Sequence, residues 1–95
     1  MAAYAILDFE MRDPSRMREY LEKVPAIIHK FGGRYLARGG KTEILEGGWE
    51  PNLIVVVEFP STEDAQRFYN CEEYKEFKEA RHKAGPSNLI LVEGV

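Results

Sequence analysis

The sequence predicts an α+β domain with the element order β-α-β-β-α-β. Three observations carry this. Two apolar stripes recur at helical spacing, one over Met17–Phe31 and one over Ala65–Arg81. Short segments with alternating or continuous apolar character flank each stripe. Glycine and proline pairs mark the joints between them, at Gly32-Gly33, Gly39-Gly40, Gly47-Gly48 and Gly85-Pro86.

The first strand is read over Tyr4–Met11. Ala5, Leu7, Phe9 and Met11 share one face, which should meet the helices. Tyr4, Ile6, Asp8 and Glu10 share the other. Asp13-Pro14 opens the first helix, with Asp13 as N-cap and Pro14 at the first helical position, where its missing N–H costs nothing. Met17, Tyr20, Leu21, Val24, Ile27, Ile28 and Phe31 form its stripe. Pro25 removes the bond to the Leu21 carbonyl, so a kink or local break is expected there. Gly32-Gly33 ends the helix.

A second strand is read over Arg34–Glu46, bulged or bent at Gly39-Gly40. Gly47–Asn52 is the hairpin loop. Leu53–Phe59 is almost continuously apolar, which implies burial on both faces. After Pro60, Ser61 caps the next helix with Asp64 three residues on. The phase slips near Asn70, which with Glu73 reads as a fresh cap for a segment bearing Tyr74, Phe77 and Arg81. Ser87–Glu93 is the last strand, with Leu89, Ile90, Leu91 and Val92 as its core.

This order is that of the ferredoxin-like split βαβ arrangement, which places the first and third strands centrally and both helices on one face of a four-stranded antiparallel sheet. The other face carries Tyr4, Ile6, Ile54 and Val56. A second copy of the chain, sheet against sheet, is the economical cover and makes a homodimer.

Composition bounds the function. Ninety-five residues are read as one domain, 1–95. Such a chain buries only about 60–65% of its unfolded surface, so a partner chain would help its stability. A net charge of −3 argues against nucleic acid, which needs a basic stripe. No run of about 18 apolar residues is present to span a membrane. The start, Met1-Ala2-Ala3-Tyr4, has no signal-peptide pattern, and the lone Cys71 suits a reducing compartment, so a cytoplasmic location is expected.

Several residues match a known pattern. They are Asp13-Pro14, Tyr20, Val24-Pro25, the stretch Gly32-Gly33-Arg34-Tyr35-Leu36-Ala37-Arg38-Gly39-Gly40, Glu46-Gly47, Glu58-Phe59-Pro60-Ser61, Ala65, Phe68-Tyr69, Glu73-Tyr74, Arg81 and Val92-Glu93-Gly94. In these the chain resembles a family of small, mostly bacterial proteins of unknown function with the dimeric α+β barrel fold. The resemblance implies a ferredoxin-like protomer and a homodimer whose sheets form a barrel. Fold relatives include cofactor-free monooxygenases, dehydratases and haem-degrading enzymes, but analogy of fold assigns none of those activities.

Two constellations are candidates for chemistry. The first is a cluster of Arg38 with Asp8, Glu10 and Glu58. If the hairpin centres on Trp49 and Glu50, Thr42 falls near Val57 and Arg38 near Glu58. Such a cluster would bind a polar ligand or, with a raised carboxylate pKa, act as a base; the structural alternative is an interfacial ion-pair network. The second is the surface between helices and sheet, with Tyr20, Tyr69, Tyr74 and Arg81. Arg81 on an apolar stripe either clamps an anionic ligand, or snorkels, or pairs with Glu93. The tyrosines serve a ligand or are core residues whose hydroxyls reach water. Trp49 either closes a pocket mouth or packs on a partner chain.

No Cys or second His stands at ligand spacing from His29 or His82, so no metal is expected. Cys71 sits beside two glutamates, which raise a thiol pKa, and is not read as a nucleophile. Gly39-Gly40 lacks the following Lys-Ser/Thr of a phosphate loop, and no cofactor motif is present. The run Lys75–Lys83 is a mixed-sign helix face. The leading reading is a homodimer that binds a small anionic or aromatic ligand, with Arg38 and Arg81 fixing its charge and, if there is turnover, cofactor-independent chemistry. The alternative is a non-catalytic dimerisation or regulatory module. A ligand-sized cavity reached by Arg38 would favour the first, and a filled interior with every arginine paired the second.

Overall fold

A computed structural model describes residues 1–95. The elements are β1 (Ala3–Phe9), a 3₁₀ turn (Pro14–Met17), α1 (Arg18–Lys30), β2 (Arg34–Arg38), β3 (Leu53–Phe59), α2 (Thr62–Asn70), α3 (Glu72–Ala84) and β4 (Ser87–Glu93). The four strands form one antiparallel sheet in the order β2-β3-β1-β4, with the first and third strands central, as expected. The molecule is a slab of 36 × 34 × 17 Å, two layers thick.

β1 and β3 pair over their full lengths, from Ala3 opposite Phe59 to Phe9 opposite Leu53. With a side-chain period of two, this register puts Ala5, Leu7, Val55 and Val57 under the helices and Ile6, Asp8, Ile54 and Val56 on the open face. β1 ends at Phe9, not at Met11. Beyond it the backbone bonds to the α3–β4 joint instead: Glu10 N–H donates to Pro86 O at 3.0 Å and Arg12 N–H to Ala84 O at 2.9 Å. Gly85 makes this approach possible. A Cβ there would lie 1.8 Å from the Glu10 carbonyl oxygen.

The start of the first helical region is tighter than expected. Asp13 makes no side-chain cap to the backbone; its carboxylate accepts from Ser15 Oγ at 2.6 Å and Arg16 Nε at 2.9 Å. α1 then runs unbroken through Pro25, so no local break occurs. It ends where Gly32, at φ +81°, turns the chain and Gly32 N–H and Gly33 N–H donate to His29 O and Ile28 O. Ser61 caps α2 as expected, its Oγ accepting from Asp64 N–H at 3.1 Å. The helical break falls at Cys71, whose extended backbone is the N-cap of α3. Asn70 is not a cap; it closes α2, and its Nδ2 donates to Gln66 O.

The second strand departs most from expectation. It stops at Arg38, and its bulge is at Leu36, not at Gly39-Gly40. Tyr35 lies opposite Val57, but Ala37 lies opposite Val56 and Arg38 opposite Val55. Gly39 N–H still reaches Ile54 O at 2.8 Å. In this register β3 runs out at Leu53, so residues 41–52 have no strand to pair with. They form a long exposed arm carrying Ile44, Leu45 and Trp49.

The core lies between helices and sheet and is divided. A larger cluster gathers Val24, Ile27, Ile28, Val57, Phe59, Ala65, Phe68, Tyr74 and Phe77. A smaller one holds Phe9, Met17 and Ala84. Helical residues Tyr74, Phe77 and Arg81 are buried on one side of α3, as their spacing requires. β4 does not supply core: Leu89, Ile90, Leu91 and Val92 are all exposed, because β4 is an edge strand.

Gly85→Ala should destabilise the fold by about 2–3 kcal/mol, since the clash is with backbone and no rotamer relieves it. Urea unfolding followed by circular dichroism checks this. Gly48→Ala, where nothing lies within 4 Å, should stay within about 0.5 kcal/mol of the parent.

Candidate functional site

Between the two core clusters lies an apolar cavity of about 590 Å³. Ordinary small cores are contiguous and close-packed. Here Phe9 and Met17 of one cluster and Phe68 and Tyr74 of the other face the same space. The volume falls in the range of small-molecule sites, about 300–1,000 Å³. Its wall includes Tyr20, Tyr35, Arg38, Gln66, Tyr69, Tyr74 and Arg81, and otherwise aliphatic, Phe and Met side chains.

Arg81 is the central polar group. Helical spacing from Tyr74 and Phe77 carries it inward, and it is 1% exposed. Its Nη1 donates to Ser87 Oγ at 2.7 Å, while Nε has no partner. It neither snorkels to the surface nor pairs with Glu93. Burying an ion costs several kcal/mol. A single hydrogen bond from a charged donor returns about 1.5–3 kcal/mol. The guanidinium therefore keeps donor capacity that no carboxylate takes up. Burial disfavours its charge, but the neighbouring Tyr74 and Tyr20 outweigh that and hold its proton more firmly than usual.

Tyr20 from α1 and Tyr74 from α3 meet beside it, hydroxyl to hydroxyl at 2.7 Å, with ring centroids 6.0 Å apart. These hydroxyls bond each other. Burial, then Tyr74, push Tyr20 far above the ordinary tyrosine range. Tyr20 therefore stays protonated and serves as a hydrogen-bond donor, not as a base. Tyr69 lies on the cavity wall with Lys78 Nζ 3.9 Å from its ring centroid.

Arg38 reaches the cavity because of the bulge at Leu36. One extra residue turns Arg38 onto the face shared by Val55, Val57 and Tyr35. Its guanidinium sits 4.5 Å from the Tyr35 ring centroid, and Nη2 lies 3.4 Å from Leu21 O. That carbonyl is the one Pro25 leaves without its helical donor.

The expected cluster of Arg38 with carboxylates does not assemble. Glu58 is on the open face, bonded to Arg34 Nε at 2.7 Å. Asp8 is also on that face and holds the arm: it accepts from Trp49 Nε1 at 3.0 Å and from Asn52 N–H at 2.9 Å. Glu10 pairs with Arg12. Trp49 is 64% exposed and does not line the cavity. His29 and His82 are exposed and remote from the wall. The cavity thus joins Arg38, Arg81, Tyr20 and Tyr69 among the candidates, and leaves out Asp8, Glu58 and Trp49. Tyr35 and Ser87 were not singled out in the sequence; neither residue type nor spacing distinguishes them there, and only register and burial do.

With the cavity described, comparison with known proteins becomes informative. A family model described as a domain of unknown function (DUF1330) matches residues 2–95. The chain belongs to the DUF1330 family. The crystal structure of RPA0582, a protein of unknown function from Rhodopseudomonas palustris, is similar with a TM-score of 0.78 at 16% identity, over 99% of this chain and 82% of that one. A crystal structure of methylated RPA0582 gives 0.80 at 16% identity, over 99% and 81%. At these identities the likeness concerns the fold alone. No curated protein matches the chain.

The Tyr20 shift makes a prediction about pH. A tyrosine held neutral in the fold ionises near pH 10 once unfolded. Stability is therefore complete below about pH 10 and falls as pH rises beyond it. Urea unfolding at pH 8 and pH 10.5 should show this loss, and Tyr20→Phe should reduce it while lowering stability at pH 8 by about 1 kcal/mol.

Proposed function

We propose that this DUF1330 protein binds a small organic acid in the cavity between helices and sheet, with Arg81 holding the acid group and the apolar wall holding the body. The observation that carries the reading is Arg81 itself: 1% exposed, with no carboxylate partner, with Nε unpaired, and on the wall of a cavity of ligand size. Nη1 is taken by Ser87, so the guanidinium edge formed by Nε and Nη2 is the one a carboxylate would meet side-on. The Tyr20–Tyr74 pair would donate to the same group.

No Asp, Glu, His or Cys stands on the cavity wall. The side chains there stabilise negative charge and supply no base for proton abstraction. Binding is therefore the reading the wall supports best, and any turnover would rest on the ligand's own reactivity.

The protomer, in this reading, is ferredoxin-like and works in the cytoplasm as a homodimer, open face to open face, in a dimeric α+β barrel. The exposed apolar side chains Leu36, Ile90 and Val92, with Ile44, Leu45 and Trp49 on the arm, support it. No helix is long and apolar enough to cross a membrane.

Three measurements test these statements. Calorimetric titration with medium-chain and aryl carboxylates should give binding that Arg81→Leu weakens at least about thirtyfold, a loss of about 2 kcal/mol. The same variant should keep or raise the melting temperature, because an apolar side chain replaces a buried ion that has no carboxylate partner. Weaker folding with unchanged binding would make Arg81 structural. Sedimentation equilibrium should give twice the 10.9 kDa chain mass, and Ile90→Lys on the open face should shift it toward one chain.

A further inference from the structure

We infer that the ligand carries two anionic groups, one at each end of an apolar body, with Arg81 receiving one and Arg38 the other. This rests on the reading of the cavity as an organic-acid site and names its substrate class.

The argument is one of charge balance. The chain is acidic overall, with 16 Asp and Glu against 13 Lys and Arg. Four of its other arginines pair with acids: Arg12 with Glu10, Arg16 with Asp13, Arg34 with Glu58 and Arg67 with Asp64. Arg38 and Arg81 have no such partner, and both line the same cavity. No carboxylate stands on its wall. The cavity therefore has two positive charges on an apolar wall, Arg81 buried and Arg38 at its exposed side, and the buried one is the costlier to leave without a counter-charge. A monoanion would neutralise half of this. A dianion would neutralise all of it.

The sheet sets the spacing. Arg38 stands on β2, at one edge, opposite Val55. Arg81 is bonded to Ser87 at the start of β4, the other edge, and Ser87 pairs with Phe9 opposite Leu53. Both arginines thus stand near the same end of the sheet, three strand spacings apart, or about 14 Å across the backbones. Each side chain turns inward to the cavity, which shortens the gap. Leu7, Leu53 and Val55 lie between them on the cavity wall. A flexible or aromatic dicarboxylate whose acid groups are separated by an apolar spacer matches this layout. Arg38 is held by Tyr35 and by the Leu21 carbonyl at 3.4 Å, a long contact that an arriving carboxylate can replace.

The test is calorimetric titration with straight-chain α,ω-dicarboxylic acids of about four to ten carbons, each compared with the monocarboxylic acid of equal length, a range chosen to bracket the strand-set gap. One diacid length should bind about tenfold tighter than its monoacid, the gain narrowing as salt is added because Arg38 is exposed. Arg38→Gln should remove most of that gain, the loss falling on the diacid far more than on the monoacid. Monoacids that bind through Arg81 as tightly as every diacid would overturn the inference while leaving the organic-acid reading intact. Binding of neither series would overturn both. Circular dichroism of each variant confirms that the fold is retained.

Discussion

The pairing of β1 with β3 is the constraint on which the rest of the molecule depends. Seven residues of each strand meet without a shift, and the period of two then decides which side chains face the helices. A slip of one residue would send Val55, Val57, Leu7 and Phe9 to the open face and Asp8 and Glu58 into the core. The apolar pattern of both strands forbids it. Helices α1, α2 and α3 take their places against the face so defined, and β2 and β4 are laid on the outer sides of the pair.

What those helices do not achieve is a filled interior. Two core clusters stand apart, and the space between them is walled by both. A cavity of this size forfeits dispersion contacts, and a buried guanidinium within it adds a desolvation cost. Both features work against stability in a small domain. Both are what a site for an apolar anion requires: low dielectric, few polar groups and a buried cation on the wall. The same residues that weaken the protein as a packing problem are those on which the proposed binding of an organic acid rests.

The Leu36 bulge shows how a local irregularity redistributes chemistry. In a regular strand Tyr35 and Arg38 would lie on opposite faces, and Arg38 would share the face of Glu58. One inserted residue brings Arg38 under the helices, and Arg34 takes the Glu58 carboxylate instead. Pro25, two elements away, contributes by freeing the Leu21 carbonyl that Arg38 approaches. The arm that follows β2 is a consequence of the same register, since β3 is too short to pair with it, and Asp8 ties its far end to the open face through Trp49 and Asn52.

The order of elements, the central place of the first and third strands, the inward faces of α1 and α3, the Ser61 cap and the burial of Arg81's stripe were all legible in the sequence. They depend on period and on local backbone chemistry, which a sequence displays directly. The end of β2, the position of its bulge, the exposure of β4 and the partners of Arg38, Glu58, Asp8 and Trp49 were not. Two glycines suggested a bulge where the chain only turns away, and nothing in Leu36 marks it as the extra residue. Register between strands and the fate of an edge are settled by the sum of contacts across the sheet, so they belong to the tertiary structure. So does the cavity, because a void is a failure of side chains from distant segments to meet, and no single segment records it.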